Sequence, residues 1–324
     1  MATQAIQSGA VVFSSLVQTA LIEQPIWGKF SQEVDQKVQR VNGNFPSTIK
    51  MIRLGQATVT DLTSSYPVLG AGAGDTLSRT EISMSIKKAG ISGANSIRIQ
   101  NFEDKLHGLT IQSGLIQTAK DSIMNAILKD IFTRMIRQKD DNNVDYGGEA
   151  LAAGQHVAWE TAGTAAEADI LAARAFLNGG LVPTGNRNLA YWSDEFTDFM
   201  SDANLKPYFQ YAGGLGVLAG GELPKVHGFL PYETQSMPYI KPSTGLPTAA
   251  AATFIGGASA NDTRHSMIAW AKEMVGCLIA GVETQVTPIP GGAGDSALEV
   301  WAYYYGGVLN KAGVYHKYDS TANA

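Results

Sequence analysis

Residues 110–138 read TIQSGLIQTAKDSIMNAILKDIFTRMIRQ, and Leu109, Ile116, Ile123, Ile127, Ile131 and Met135 recur through them at seven- and four-residue steps. That spacing places the apolar side chains on one face of a helix, with Thr110 or Ser113 as its N-cap. Lys120, Asp121, Lys129, Asp130 and Arg134 fall off the stripe and read as its solvated side. At ~1.5 Å per residue the helix spans about 40 Å, long enough to serve as a spine for other elements. It ends in Lys139-Asp140-Asp141-Asn142-Asn143, a solvated break, followed by Gly147-Gly148.

On the N-terminal side of the helix, residues 48–54 alternate as a strand, and residues 77–88 do so again with Ile82, Met84 and Ile86 on one face. A segment of roughly 20 residues, 55–76, separates them, a loop length that is uncommon without a function. It carries Ser64-Ser65-Tyr66-Pro67 and the run Gly70-Ala71-Gly72-Ala73-Gly74-Asp75. Two strands with such a tip describe an extended hairpin. Residues 1–45, broken mainly by Pro25, read as a short helix plus an extended arm, and Ser96-Ile97-Arg98-Ile99 can close a strand.

Beyond the helix, residues 165–177 form a second helical pattern, stopped by Asn178-Gly179-Gly180 in the manner of a glycine C-cap. A short strand at 188–192 follows, then a helix start with Ser193 as N-cap and acids in its first turn. After the Gly-rich stretch 213–221 comes an irregular strand, 228–234, interrupted by Pro231. An apolar segment, 266–280, leads into strands 282–289 and 297–305, a long hairpin whose tip is Gly291-Gly292-Ala293-Gly294-Asp295. The class is α+β. The tail from Asp319 is small and polar.

The chain has 324 residues, of which only 16% are charged and 35 are glycine. A soluble domain usually carries about 25% charged residues, so part of this surface is expected to be covered by something else. Lys and Arg total 24 against 29 Asp and Glu, a net charge of −5. There is no long cationic run, which argues against a dedicated nucleic-acid-binding face; any relation to DNA would have to be enclosure rather than grip. The single cysteine, Cys277, lies in the apolar run 274–279 and reads as a small buried hydrophobe. No secretory signal is apparent, since the first cation is Lys29. A long uncharged stretch, 242–261, is broken by Gly245, Pro247, Gly256 and Gly257 and reads as a loop, so no membrane span is expected there.

No chemical motif assembles. The glycines at 70–75 are followed by a strand where a phosphate-binding turn needs a helix, and no Lys-Ser/Thr pair accompanies them. His107, His156, His227, His265 and His316 are scattered without ligand spacing. Asp194, Glu195, Asp198 and Asp202 read as a solvated acidic face. Trp301 with Tyr303, Tyr304 and Tyr305 reads as alternating core and interface aromatics in a strand. No catalytic, cofactor-binding or metal-binding residue is therefore assigned.

The serial order of elements, with the 51–86 hairpin and the 110–138 helix, is similar to that of the major capsid proteins of tailed phages, the Hong Kong ninety-seven fold. Pro207-Tyr208-Phe209-Gln210 through Lys225-Val226-His227-Gly228-Phe229 resembles that family's axial-domain passage, and Ala269-Trp270-Ala271-Lys272-Glu273-Met274-Val275-Gly276 with Val282-Glu283-Thr284 its return. The resemblance implies an N-terminal arm (1–47), an E-loop hairpin with flanking strands (48–100), a peripheral domain with its spine helix (101–190) and an axial domain (191–280). It also implies a peripheral long hairpin with a P-loop at 290–296 (281–305) and a return to the axial domain with the tail (306–324). It implies a structural protein of the virion capsid, with no enzymatic activity and no cofactor. It further implies copies that assemble in the host cytoplasm as hexamers and pentamers of an icosahedral shell enclosing double-stranded DNA without specific binding.

The partners implied are neighbouring copies, a portal protein and separate scaffolding and decoration proteins. Intersubunit contacts fall on the E-loop tip, Tyr66, Pro67, Leu69 and Asp75, and on the P-loop, Gly291, Gly292, Gly294 and Asp295. Some members cross-link their shells through an E-loop lysine; residues 55–76 contain none, so a non-covalent shell is expected. The alternatives are an encapsulin-like nanocompartment of the same fold and an oligomeric α/β enzyme whose site is assembled from distant residues.

Overall fold

The computed structural model describes residues 16, 17, 19, 45–54, 79–91, 96–99, 109–137, 147–207, 225–247, 262–289 and 296–321. The first sheet is a two-stranded ribbon, β1 (Thr48–Leu54) antiparallel to β2 (Arg79–Ser85), with Thr48 opposite Ser85 and Leu54 opposite Arg79. Ile82 and Met84 are buried on one face, as the alternation requires. The expected single strand over 77–88 is in fact two. The chain breaks at Ile86 and continues as β3 (Lys87–Ile91) in a different sheet.

That second sheet is centred on β10 (Ser296–Val308), which pairs along its length with β9 (Val275–Pro288). Its other edge is shared by β3, opposite 300–304, and β4 (Ile97–Ile99), opposite 296–298. The long hairpin thus begins at Val275, seven residues earlier than the alternation suggested, because a 3-10 turn at Lys272–Met274 separates two strands within the apolar run 266–280. Cys277 is buried in it, and burial pushes its thiol up to about 12, so it stays an inert hydrophobe.

The aromatic alternation in β10 holds at Trp301 and Tyr303, which are half-buried, and fails at Tyr304 and Tyr305, which are both fully buried. The register shifts between Tyr303 and Tyr304. Both sheet faces are covered here: Tyr304 packs with the spine helix, and Tyr305 packs with Met84 at the ribbon's root. The Tyr305 hydroxyl donates to the Pro46 carbonyl.

The spine helix α1 spans Leu109–Ile136 and packs on β10 and β3. Ile123, Ile127, Ile131 and Met135 are fully buried, as the stripe predicts. The expectation of a solvated opposite side is corrected for the second half of the helix. Leu128, Phe132 and Ile136 are buried as well, together with Lys129, Asp130, Thr133 and Arg134. The cause is a second body on that side: the Phe132 ring meets Trp270 edge-on at 6.1 Å.

Trp270 belongs to β8 (Ser266–Ala271), the middle strand of a five-stranded sheet. The order is β5 (His156–Ala158), β11 (Val314–Tyr318), β8, β6 (Arg187–Trp192), β7 (Phe229–Thr234). Its outer pairs, β5 with β11 and β6 with β7, are parallel, and the inner ones are antiparallel. Period-two alternation divides its faces. Ala190, Ile268, Trp270 and Val314 turn toward α1, whereas Leu189, Tyr191, Met267, Ala269 and Tyr315 turn toward α2 (Glu167–Gly179) and α3 (Glu195–Ser201). Strands from 156 to 318 enter this sheet, so the chain passes between the two bodies more than once.

Three helix ends differ from the sequence reading. α1 begins at Leu109, so Thr110 and Ser113 lie inside the helix rather than at its N-cap. α3 takes Asp194 rather than Ser193 as N-cap. α2 stops where expected, but the left-handed position of its terminal turn is held by Leu181 (φ 54°), with the Val182 amide donating to the Leu177 carbonyl at 3.0 Å.

Candidate assembly site at the root of the extended hairpin

The expected contact residues Tyr66, Pro67, Leu69 and Asp75, and Gly291, Gly292, Gly294 and Asp295, lie outside the described residues. What is described is how the two hairpins are held at their roots. A side chain with no Cβ is required where segment 147–149 crosses the ribbon. Gly147 (φ +82°) bridges Met84, and a Cβ there would lie 2.0 Å from the Ser83 carbonyl oxygen. The Gly148 amide donates to that carbonyl at 2.9 Å, and the Glu149 amide donates to the Val308 carbonyl at 2.8 Å. One short segment therefore bonds the ribbon to the end of β10. An open groove of about 370 Å³ runs beside this crossing, lined in part by Thr48, Glu81, Ile82, Ser83 and Glu149.

Below the crossing, three elements meet on one carboxylate. The Lys87 ammonium pairs with Asp130 Oδ1, Arg134 Nε lies 2.8 Å from Oδ2, and the Tyr304 hydroxyl donates to Oδ2 at 2.6 Å. Arg134 Nη1 also donates to the Gly306 carbonyl at 2.8 Å. Burial, and then the Asp130 charge, raise Tyr304 well above the ordinary phenol range, so it remains a donor. Lys87 opens β3, one residue beyond the break at Ile86 that ends the ribbon, Asp130 and Arg134 stand on α1, and Tyr304 stands on β10. The knot thus fixes the ribbon's direction against both the spine and the long hairpin.

The acidic residues of α3 are corrected in role. Asp194 alone remains mostly exposed. Glu195 is 1% exposed, with Oε1 3.1 Å from His265 Nδ1. Asp198 accepts the Ala165 amide, and Asp202 accepts those of Glu167, Asn204 and Leu205. These acids satisfy the free amides at the start of α2 and complement its positive end. Burial pushes Asp202 up, and its three backbone bonds outweigh that and leave it below the usual carboxylate range. Sequence spacing could not show this, because α2 lies some thirty residues upstream (|i−j| of 33 and 35). No group of three or more His, Cys, Asp or Glu side chains with metal-site geometry occurs among the described residues.

Two histidines that sequence spacing leaves apart meet across β5 and β11. His156 Nδ1 and His316 Nδ1 lie 3.3 Å apart. Burial lowers His156 to about 4 and holds His316 well below 6.5, the latter further lowered by His156. Both are neutral when folded, while the unfolded chain protonates near 6.5. Stability carried by this pair is therefore complete above pH ~6.5 and is lost as the pH falls toward ~4, by at most about 3 kcal/mol for His156. His265, raised mainly by its bond to Glu195, works in the opposite sense. Urea midpoints between pH 7.5 and 4.5 should fall in the native protein and fall distinctly less in a His156→Asn/His316→Leu variant. Parallel curves would contradict the assignment.

No family model matches the chain, and no curated protein does. Solved structures do. The cyanophage Pam1 capsid asymmetric unit superposes with a TM-score of 0.55 at 12% identity, covering 87% of each chain. The chain has the tailed-phage major capsid fold. A structure from Mycobacterium phage Adephagia gives a TM-score of 0.55 at 12% identity, covering 91% of this chain and 92% of that one. The capsid structure of cyanophage P-SCSP1u gives 0.50 at 16%, covering 86% and 84%. Within this capsid fold, the Asp130 knot and the Gly147 crossing sit where the ribbon leaves the body.

Proposed function

We propose that the chain is a major capsid protein, a structural protein without catalytic activity, which self-assembles as hexamers and pentamers into an icosahedral shell around double-stranded DNA. The observation that carries this reading is the superposition on the Pam1 capsid over 87% of both chains. The −5 net charge and the absence of long cationic runs suit containment of DNA rather than attraction to it. In this reading the five-stranded sheet with α2 and α3 is the axial domain. The spine helix with the β9–β10 sheet is the peripheral domain, interleaved with it along the chain. The tips 55–76 and 290–296 reach neighbouring copies through Tyr66, Pro67, Leu69 and Asp75 and through Gly291, Gly292, Gly294 and Asp295. A ribbon of two strands cannot bury both its faces within its own subunit, which favours partners. A portal protein and separate scaffolding and decoration proteins complete the virion shell, which assembles in the host cytoplasm.

Expressed alone or with a scaffolding protein, the chain should give closed shells or capsomer rings in electron micrographs. Boiled on a denaturing gel, those shells should run at the 34.4 kDa monomer, as expected where the E-loop tip, 55–76, carries no lysine. Deletion of residues 56–75 should leave a folded subunit that no longer closes shells. A dimer or tetramer that persists at high concentration would sink the reading.

A further inference from the structure

Between the spine helix and the five-stranded sheet, two cations share one aromatic ring. The Arg264 guanidinium lies 4.0 Å from the Tyr239 ring centroid and 5.0 Å from that of Trp192, and the Lys129 ammonium lies 5.6 Å from the Tyr239 centroid. Lys129 is 7% exposed. Neither cation has a carboxylate partner among the described residues, and Arg264 Nε is buried without an acceptor. Stacking explains only part of this. A ring face attracts a cation, but it occupies the flat side of a guanidinium and leaves the in-plane N–H groups aimed at whatever lies at the edge. Two like charges over one ring also repel, and burial followed by Arg264 lowers the Lys129 ammonium below its ordinary range.

The nearest acid to Arg264 in sequence, Asp262, is buried two residues before it and forms no ion pair with either cation. Between Glu233 and Asp262 there is no acidic residue. The neighbours are neutral donors and acceptors: Asn125, exposed one turn before Lys129 on α1, and Ser236, whose hydroxyl lies 3.3 Å from Asn125 Oδ1. We propose that Lys129 and Arg264 form an oxyanion-binding site, walled by Tyr239 and Trp192, that takes the oxygens of a carboxylate or phosphate group. Two oxygens of such a group, carboxylate or phosphate, meet the guanidinium edge and the ammonium together, which stacking alone leaves unpaired. The group arrives either as a free ion or as a carboxylate of a second copy, and the latter source rests on the capsid reading.

The full-length unassembled subunit is heated in inorganic phosphate and in chloride at equal ionic strength. A free-ion site gives a rise in melting temperature of about 2–3 °C in phosphate, absent in a Lys129→Met/Arg264→Gln variant whose melting temperature in chloride is no lower than that of the native protein. The second arm measures acylation of Lys129 by an amine-reactive reagent, read by peptide mass, in subunits and in assembled shells. A carboxylate from a neighbouring copy protects Lys129 in native shells, and Arg264→Gln shells lose that protection. The absence of both the phosphate shift and the Arg264-dependent protection overturns the proposal. The phosphate arm needs no assembly, so its result stands apart from failure of the capsid reading.

Discussion

Asp130→Ala is expected to destabilise the subunit by about 3–5 kcal/mol, the range for breaking a buried ion pair from one side. The carboxylate receives Lys87, Arg134 and the Tyr304 hydroxyl, and the Arg134 side chain is fully buried. Removing the anion leaves that cation in a poorly solvating interior. The large value reflects the orphaned Arg134 more than the worth of the pair, since replacing both members by apolar groups of similar volume is often close to neutral. An Asp130→Leu/Arg134→Met double variant should therefore recover much of the loss. Urea midpoints measured for the native protein, the single and the double variant test this. A single variant with a native midpoint would show that the knot is solvated in solution.

Gly147→Ala should cost a further few kcal/mol by a different route. The left-handed backbone at +82° already disfavours any side chain by about 1–2 kcal/mol. The new Cβ would also meet the Ser83 carbonyl oxygen at 2.0 Å and Met84 Cα at 2.7 Å, both backbone atoms. Relief requires the 147–149 segment to lift away, which breaks the Gly148 bond to Ser83. The expected signature is local as well as global: faster amide exchange at Gly148 and Glu149, and a lower unfolding midpoint. Gly154→Ala, where a Cβ would meet nothing within 4 Å, serves as the neutral comparison. Equal behaviour of the two variants would remove the crossing from the ribbon's support.

The elements legible in the sequence were those whose signal is local. The stripe from Ile123 to Met135 foretold the spine, and the alternation in 48–54 and 77–88 foretold the ribbon, whose second strand is Arg79–Ser85. What periodicity misread were the charges. Lys129, Asp130 and Arg134 look like a solvated side because their environment is supplied by Lys87, Tyr304, Gly306 and Tyr239, all distant in sequence. Asp198 and Asp202 look like a solvated face because the amides they cap belong to the start of α2. The break at Ile86 was hidden because both flanking strands alternate in the same way, and only pairing reveals that β2 and β3 join different sheets. The contact residues proposed at the two hairpin tips rest on the resemblance alone.

The order of β11 between β5 and β8 has a consequence for the timing of synthesis. β6 is complete at Trp192, yet the strand that joins β5 to the rest of its sheet is Val314–Tyr318. At about 5–20 residues per second, a nascent chain waits on the order of ten seconds between the two. During that interval β5 has no ladder partner and the Phe176 ring lacks Tyr315 to stack on. A chain stopped anywhere between Ala271 and Val314 therefore holds β6 and β8 but leaves β5 without a strand to pair with, so the five-stranded sheet closes only on the last of its strands to be made.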